Sequence, residues 1–259
     1  MIICFTGTGN SRRIADMVSK SLGDSIERLA PGLMRSPEKA SLDVTDGRLI
    51  WVLPIHAWGM PLTVENVLAK ITVTSPTPII HHLIVTCGDD IGYADNDWRG
   101  AVEARGWICG SAFSVQMPNN YTFIRGFDID SEKVAQVKLA TMPERVDKII
   151  EAIDNNVMVT DVVRGSYPWI KTRILHRLFI RFLTNTKPFH ATDDCNSCGQ
   201  CMRNCPLSAI QMQDGKPNWT GVCTMCSRCY HACPHHAVAY GRATAHKGQY
   251  MCPGYHVNR

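Results

Sequence analysis

The chain has 259 residues, 45% hydrophobic and 19% charged, enough for one ordinary domain with a sizeable core and a smaller second unit. No apolar run approaches the ~18–20 residues of a membrane span, and the N-terminal MIICFTGTGNS lacks the basic head, apolar stretch and cleavage site of a signal peptide. An integral membrane protein is therefore not expected, and a cytoplasmic location is. The net charge of +4 is uneven: −4 over residues 1–160, +5 over 161–190 and +3 over 191–259.

Residues 1–160 alternate β-rich runs with helical stretches, the pattern of a parallel α/β sheet. Strands are predicted at Ile2–Phe5, Ser25–Leu29, Leu49–Leu53, His82–Cys87 and Ile108–Gln116. Helices are predicted at Ser11–Leu22, Thr63–Ile71, Trp98–Arg105 and Ser131–Ile153. The run from Leu49 is nearly all apolar, as a strand buried on both faces should be. Five such strands with right-handed crossovers predict a doubly wound sheet, with its ligand at the carboxyl ends of the strands.

Residues 161–191 form a basic connector. Within it 166–187 reads as an amphipathic helix, with Ile170, Ile174, Leu178 and Phe182 on one line and Arg173, Arg177 and Arg181 beside it. Three readings stand open: a helix packed between two domains, a docking surface for an acidic partner, or a membrane-surface helix.

At Thr192 the composition shifts to Cys, Asn, His and Pro, which marks a second domain over 192–259. It reads Cys195-x2-Cys198-x2-Cys201-x3-Cys205-Pro206 and then Cys223-x2-Cys226-x2-Cys229-x3-Cys233-Pro234. Every cysteine recurs 28 residues later, as do the proline, Ala209/Ala237 and Ile210/Val238, so the unit is duplicated. Three cysteines at i, i+3 and i+6 place three thiolates around one iron–sulfur cubane, while the fourth points away and completes the other half's cluster. The expected ligand sets are Cys195, Cys198, Cys201 with Cys233, and Cys223, Cys226, Cys229 with Cys205. Structural zinc, held by paired cysteines on a spacer, does not fit triplets with a trailing Cys-Pro.

Over residues 192–240 the segment resembles bacterial-type two-cluster ferredoxins, which implies two [4Fe–4S] clusters. Each carries about −2 with its thiolates, bringing this unit to about −1 and removing the case for a nucleic-acid partner. Cys4 and Cys109 read as buried, inert thiols, Cys87 as a thiol near the ligand loops, and Cys252 has no assigned role. His231, His235 and His236 flank the last ligands, where they would bond or screen cluster sulfurs rather than replace a cysteine.

Directly after the first strand, Thr6-Gly7-Thr8-Gly9-Asn10-Ser11 opens a helix and offers hydroxyls and backbone N–H groups to an anion. It has neither the lysine of a triphosphate loop nor the G-x-G-x-x-G of a dinucleotide fold. It resembles the FMN-phosphate loop of flavodoxins, [ST]-x-T-G-x-[ST], with Ser11 where threonine is commoner. The resemblance implies a five-stranded sheet in the order 2-1-3-4-5, with Thr6, Thr8 and Ser11 donating hydroxyls and Gly7, Gly9 and Asn10 donating N–H groups. It extends to the loop from Pro54 to Pro61, where Trp58 would lie against the flavin ring and Gly59 would allow a peptide flip. It also extends to the loop from Gly88 to Asp95, where Tyr93 would stack on the ring and acidic side chains would lower the potential of an anionic hydroquinone.

The whole chain resembles the fused flavodoxin–ferredoxin electron-transfer proteins found largely in anaerobes, with the tail from Gly241 lacking a counterpart. The resemblance implies an electron carrier that relays between two [4Fe–4S] clusters and FMN, and between one- and two-electron redox protein partners. The rival reading is an FMN-dependent reductase of a small molecule, which needs a pocket over the flavin and a proton donor such as His56. A purely regulatory cluster sensor would need no FMN. The sequence is compatible with a homo-oligomer.

Overall fold

The computed structural model describes residues 1–29 and 31–256. Five strands, β1 (Ile2–Cys4), β2 (Ile26–Arg28), β3 (Arg48–Pro54), β4 (Ile80–Cys87) and β5 (Ile108–Gln116), lie all parallel in the order β2-β1-β3-β4-β5. A two-residue strand β6 (Thr160–Asp161) extends the far edge beside β5.

Side-chain alternation sorts the apolar residues onto two faces. In β3, Leu49, Trp51 and Leu53 face one side and Ile50 and Val52 the other, all fully buried. The first face is covered by α2 (Leu62–Lys70) through Val64, Val67 and Leu68, and by α3 (Ala94–Glu103) through Trp98 and Val102. The second is covered by α1 (Asn10–Leu22) through Ile14 and Val18, and by α4 (Glu132–Asp154) through Met142, Val146, Ile149 and Ile153. Helix α3 starts four residues before the expected Trp98, because Asp95 and Asp97 in its first turn suit the positive end of the helix dipole.

Residues 168–183 form one helix, α5, from Pro168–Ile170, a π turn Lys171–Leu175 and His176–Leu183. The line it buries is Thr172, His176 and Phe179. Ile170, Ile174, Leu178 and Phe182, the apolar line read in the sequence, face outward.

Beyond α5, β7 (Phe189–Ala191) pairs antiparallel with the later strand β10 (Val238–Tyr240). Between them come α6 (Gln200–Asn204), the hairpin β8 (Ile210–Gln213) and β9 (Lys216–Trp219), and α7 (Arg228–His231). This unit has its own aromatic core of Phe189, Trp219, Tyr230 and Tyr240. Phe123, from the loop after β5, inserts into it with ring centroids 5.1 Å from Phe189 and 5.0 Å from Tyr240. In return Leu207, Ala209 and Cys226 pack into the core on the first face of the sheet. The two units share apolar surface in both directions.

Candidate cofactor sites

The cysteine loops repeat in backbone conformation as well as in sequence. Ser197 and Gly199 take left-handed φ of 64° and 70°, and 28 residues on Met225 and Ser227 take 56° and 55°. Ser208 and His236 match in the same way, at 50° and 51°. Left-handed residues alternating with the cysteines curl each loop so that its side chains converge.

Cys195, Cys198, Cys201 and Cys233 line one small cavity of about 20 Å³. The thiols near Cys201 are those of Cys195, Cys198 and Cys233, and the thiols near Cys229 are those of Cys205, Cys223 and Cys226. Each trailing cysteine therefore stands with the other half's triplet. Among the described residues no three His, Cys, Asp or Glu side chains converge on a single-ion site. Backbone N–H groups already aim at sulfur: Ala209 N to Cys205 Sγ, Ala237 N to Cys233 Sγ and Met225 N to Cys223 Sγ, each at 3.3 Å. Burial pushes the thiols of Cys201 and Cys223 up to about 11 and about 12. As bare groups they stay protonated, so a thiolate there needs cationic metal to displace the proton. The donor set fits two clusters. Cys198 is exposed, whereas Cys226 is buried against the other unit, so the two cages differ in their access to solvent.

The second site is a cavity of about 320 Å³ at the carboxyl ends of β1, β3 and β4, within the range of small-molecule sites. Thr6, Gly7, Thr8, Asn10 and Ser11 form its floor. Here Thr6 Oγ1 accepts from Gly9 N at 3.0 Å and Thr8 Oγ1 accepts from Asn120 Nδ2 at 2.5 Å. A hydroxyl that accepts still has its own proton to give, so both can donate to an anion. Ser11 Oγ shares a hydrogen bond of 2.8 Å with Thr86 Oγ1. The hydroxyls, the N–H groups and the N-terminus of α1 suit a phosphate dianion.

One wall of the cavity is the turn at Ala57 and Trp58, closed by hydrogen bonds of 2.9 and 3.2 Å between His56 and Gly59. Both turn residues have left-handed φ, 47° and 66°. Lys171, in the π turn of α5, sits 5.4 Å from the Trp58 ring centre and pairs with Asp90 at 2.5 Å. That ion pair offsets one of the acidic charges expected to bear on the ring. His56 also lines the cavity. Its Nδ1 meets the Thr224 carbonyl at 2.9 Å, and burial lowers its pKa to about 4. A neutral imidazole donating from Nδ1 leaves only an acceptor at Nε2. It is not the poised proton donor that a reductase needs.

Of the residues singled out in the sequence, Thr6, Gly7, Thr8, Asn10, Ser11, Trp58 and Gly88 line this cavity. Gly9, Gly59 and Tyr93 do not. Gly9 lies under the Tyr255 ring and Gly59 under the His176 ring, so that a Cβ at either would collide. Tyr93 points away: its N–H bonds Thr172 Oγ1 at 2.8 Å and the Arg164 guanidinium lies 5.1 Å from its ring centre. Tyr121 also lines the cavity, and its buried hydroxyl has no partner among the described residues.

Contributors not read from the sequence are the Pro118–Tyr121 loop, Ile124, Phe127, Lys171, Met225–Ser227 and Thr86. The rule that ligands bind beyond strand carboxyl ends points to the first of these, since Pro118 follows β5 directly. The C-terminal tail supports the floor from outside. Cys252 N donates to Thr8 O at 2.8 Å and Tyr250 OH to Asn10 Oδ1 at 2.8 Å.

Residues 194–238 match the family described as 4Fe-4S dicluster domain. No curated protein matches the chain. Among solved structures, a flavodoxin of Streptococcus pneumonia TIGR4 is similar at 16% identity over 60% of this chain and 96% of that one, with a TM-score of 0.34. A likeness that shallow carries no argument about the cavity, which rests on its own geometry. The chain joins a doubly wound parallel α/β unit to a unit that matches a two-cluster [4Fe–4S] domain, which supports an electron-transfer role.

Proposed function

We propose that the chain relays electrons between two [4Fe–4S] clusters and an FMN held in the 320 Å³ cavity. One observation carries this reading: Met225, Cys226 and Ser227, from the second cysteine triplet, are part of the cavity wall. The second cage and the cavity thus share a wall, while the first cage has the exposed Cys198. When bound, the clusters pass single electrons and the flavin holds one or two. The order outer cage, inner cage, cavity follows from this placement.

The chain's own residues hold the two sites together. Arg228, 8% exposed, donates from Nε to Gly7 O at 2.9 Å, from Nη1 to Asn204 O at 3.2 Å and from Nη2 to Thr6 O. One guanidinium thereby ties the anion loop to the cysteine unit. Gly7 is required because a Cβ there would strike the Cys226 carbonyl. His231 Nε2 meets Asn120 O at 2.6 Å, which fixes the loop that carries Tyr121.

The reductase reading has one observation in its favour, the Tyr121 hydroxyl at the cavity, a protonated donor at neutral pH that has no hydrogen-bond partner among the described residues. Anaerobic purification followed by iron, sulfide and flavin assay tests the cofactor set. About eight iron and one FMN per chain is the expected result, and a flavin-free protein that takes up no FMN would end the relay reading. A single-turnover assay separates the carrier from the reductase. A carrier passes electrons only to another redox protein, whereas a reductase turns over a small acceptor and loses that activity in Tyr121→Phe.

A further inference from the structure

We propose that the outward face of α5 is a peripheral docking surface for an anionic lipid bilayer. Trp169, Ile170, Ile174, Leu175, Leu178 and Phe182 are exposed by 58, 43, 43, 41, 47 and 59%. A surface helix ordinarily turns polar residues outward. In α5 the outward residues are large apolar side chains and arginines, while the body of the protein takes Thr172, His176 and Phe179, with Ile180 and Leu183 half-buried beside them. Its apolar arc is wider than the surface that covers it.

The charges name the occupant. Arg164, Lys171 and Arg173 are taken up by Asp95, Asp90 and Asp97 of the α/β unit. Arg177 and Arg181 are exposed and, among the described residues, have no carboxylate partner. Asp161 is the one acidic residue over 161–190. A second copy seated on this face would set arginine against arginine with no counter-charge of its own. An anionic bilayer supplies both complements: an apolar layer for the Ile, Leu and Phe side chains, and headgroup charge for the arginines. Tyr167, 75% exposed, and Trp169 stand at one end, where ring and polar edge suit the headgroup level. The helix is too short to span, so it lies in the plane. Because Lys171 of the same helix lines the cavity, docking would hold that site beside the bilayer.

The test is flotation of anaerobically purified full-length protein with phosphatidylcholine vesicles, with and without about 30% phosphatidylserine. Binding to the anionic vesicles is expected, with at least a tenfold loss in the triple variant Ile174→Ser, Leu178→Ser, Phe182→Ser and a comparable loss in Arg177→Gln, Arg181→Gln. All five positions are exposed, and unchanged iron content and thermal unfolding verify that the variants fold. Equal binding to both vesicle types, no binding to either, or binding that survives the triple variant would overturn the proposal. So would a concentration-dependent dimer abolished by the triple variant, which would assign the face to a second copy. Retention by an acidic redox protein with no vesicle binding would assign it to a protein partner.

Discussion

Thr8 and Ser11 show how one side chain serves both scaffold and ligand. Each holds a neighbouring segment through a hydrogen bond, Thr8 the loop at Asn120 and Ser11 the strand β4 at Thr86, at the floor of the cavity. Replacing both by alanine removes two bonds to a bound phosphate, each worth about 1.5–3 kcal/mol when the partner is charged. FMN affinity should fall by at least ~100-fold, at ~1.4 kcal/mol per decade, in a fluorescence titration of flavin-stripped protein. Unchanged affinity would mean that the loop serves packing alone. The positions read less well share a cause. Gly59 and Gly9 were legible as glycines that something demands, but sequence does not say what approaches them, and the partners are the His176 and Tyr255 rings from 117 and 246 residues away. Tyr93 was placed by its loop, yet a side chain's direction depends on its neighbours. Here the Arg164 guanidinium lies 5.1 Å from its ring centre, while Thr172 holds only its backbone N–H.

At the scale of the element, what is periodic in the chain is what sequence shows. The central strands β1, β3 and β4 are buried on both faces and read mostly as apolar runs, and the cysteine loops are fixed by spacing alone. Helix α5 is the contrary case. Its period is plain, but the apolar arc runs past the contact surface, so periodicity cannot tell which line is buried. The exchanged ligand at Cys205 gives a test of the duplicated loop. Cys205 belongs in sequence to the first triplet but stands with Cys223, Cys226 and Cys229. Cys205→Ala should cost the inner cluster and leave the cluster at Cys195, Cys198, Cys201 and Cys233, with iron falling by about half. EPR of the reduced variant distinguishes the two. Loss of the outer cluster instead would refute the exchange.

At the scale of the molecule, two units that could be read as separate domains are locked into one by buried polar groups. Arg228→Met keeps the bulk but leaves the carbonyls of Thr6, Gly7 and Asn204 without that donor, at a cost on the order of 3–5 kcal/mol. Urea unfolding should show that loss, with weakened FMN binding because the anion loop is released. The core sets a second global property, acid sensitivity. His81 and His82, 0 and 1% exposed on β4, are held at a pKa of about 4 by burial first and neighbouring positive groups second. Each uses Nδ1 as an acceptor, His81 from Trp51 Nε1 and His82 from Ser111 N, both at 3.2 Å. Protonation at Nδ1 would break those bonds. The folded pKa lies below the unfolded value near 6.5, so between the two the unfolded chain binds protons that the folded chain refuses. Stability from these groups is therefore whole above about pH 6.5, declines as pH falls, and is lost by about pH 4. The slope from both is at most about 2.7 kcal/mol per pH unit. His82→Asn keeps an acceptor for Ser111 N without a titrating group, and should remove up to half of that slope in urea melts between pH 7 and about 4.5. A variant as acid-sensitive as the parent would place the titration elsewhere.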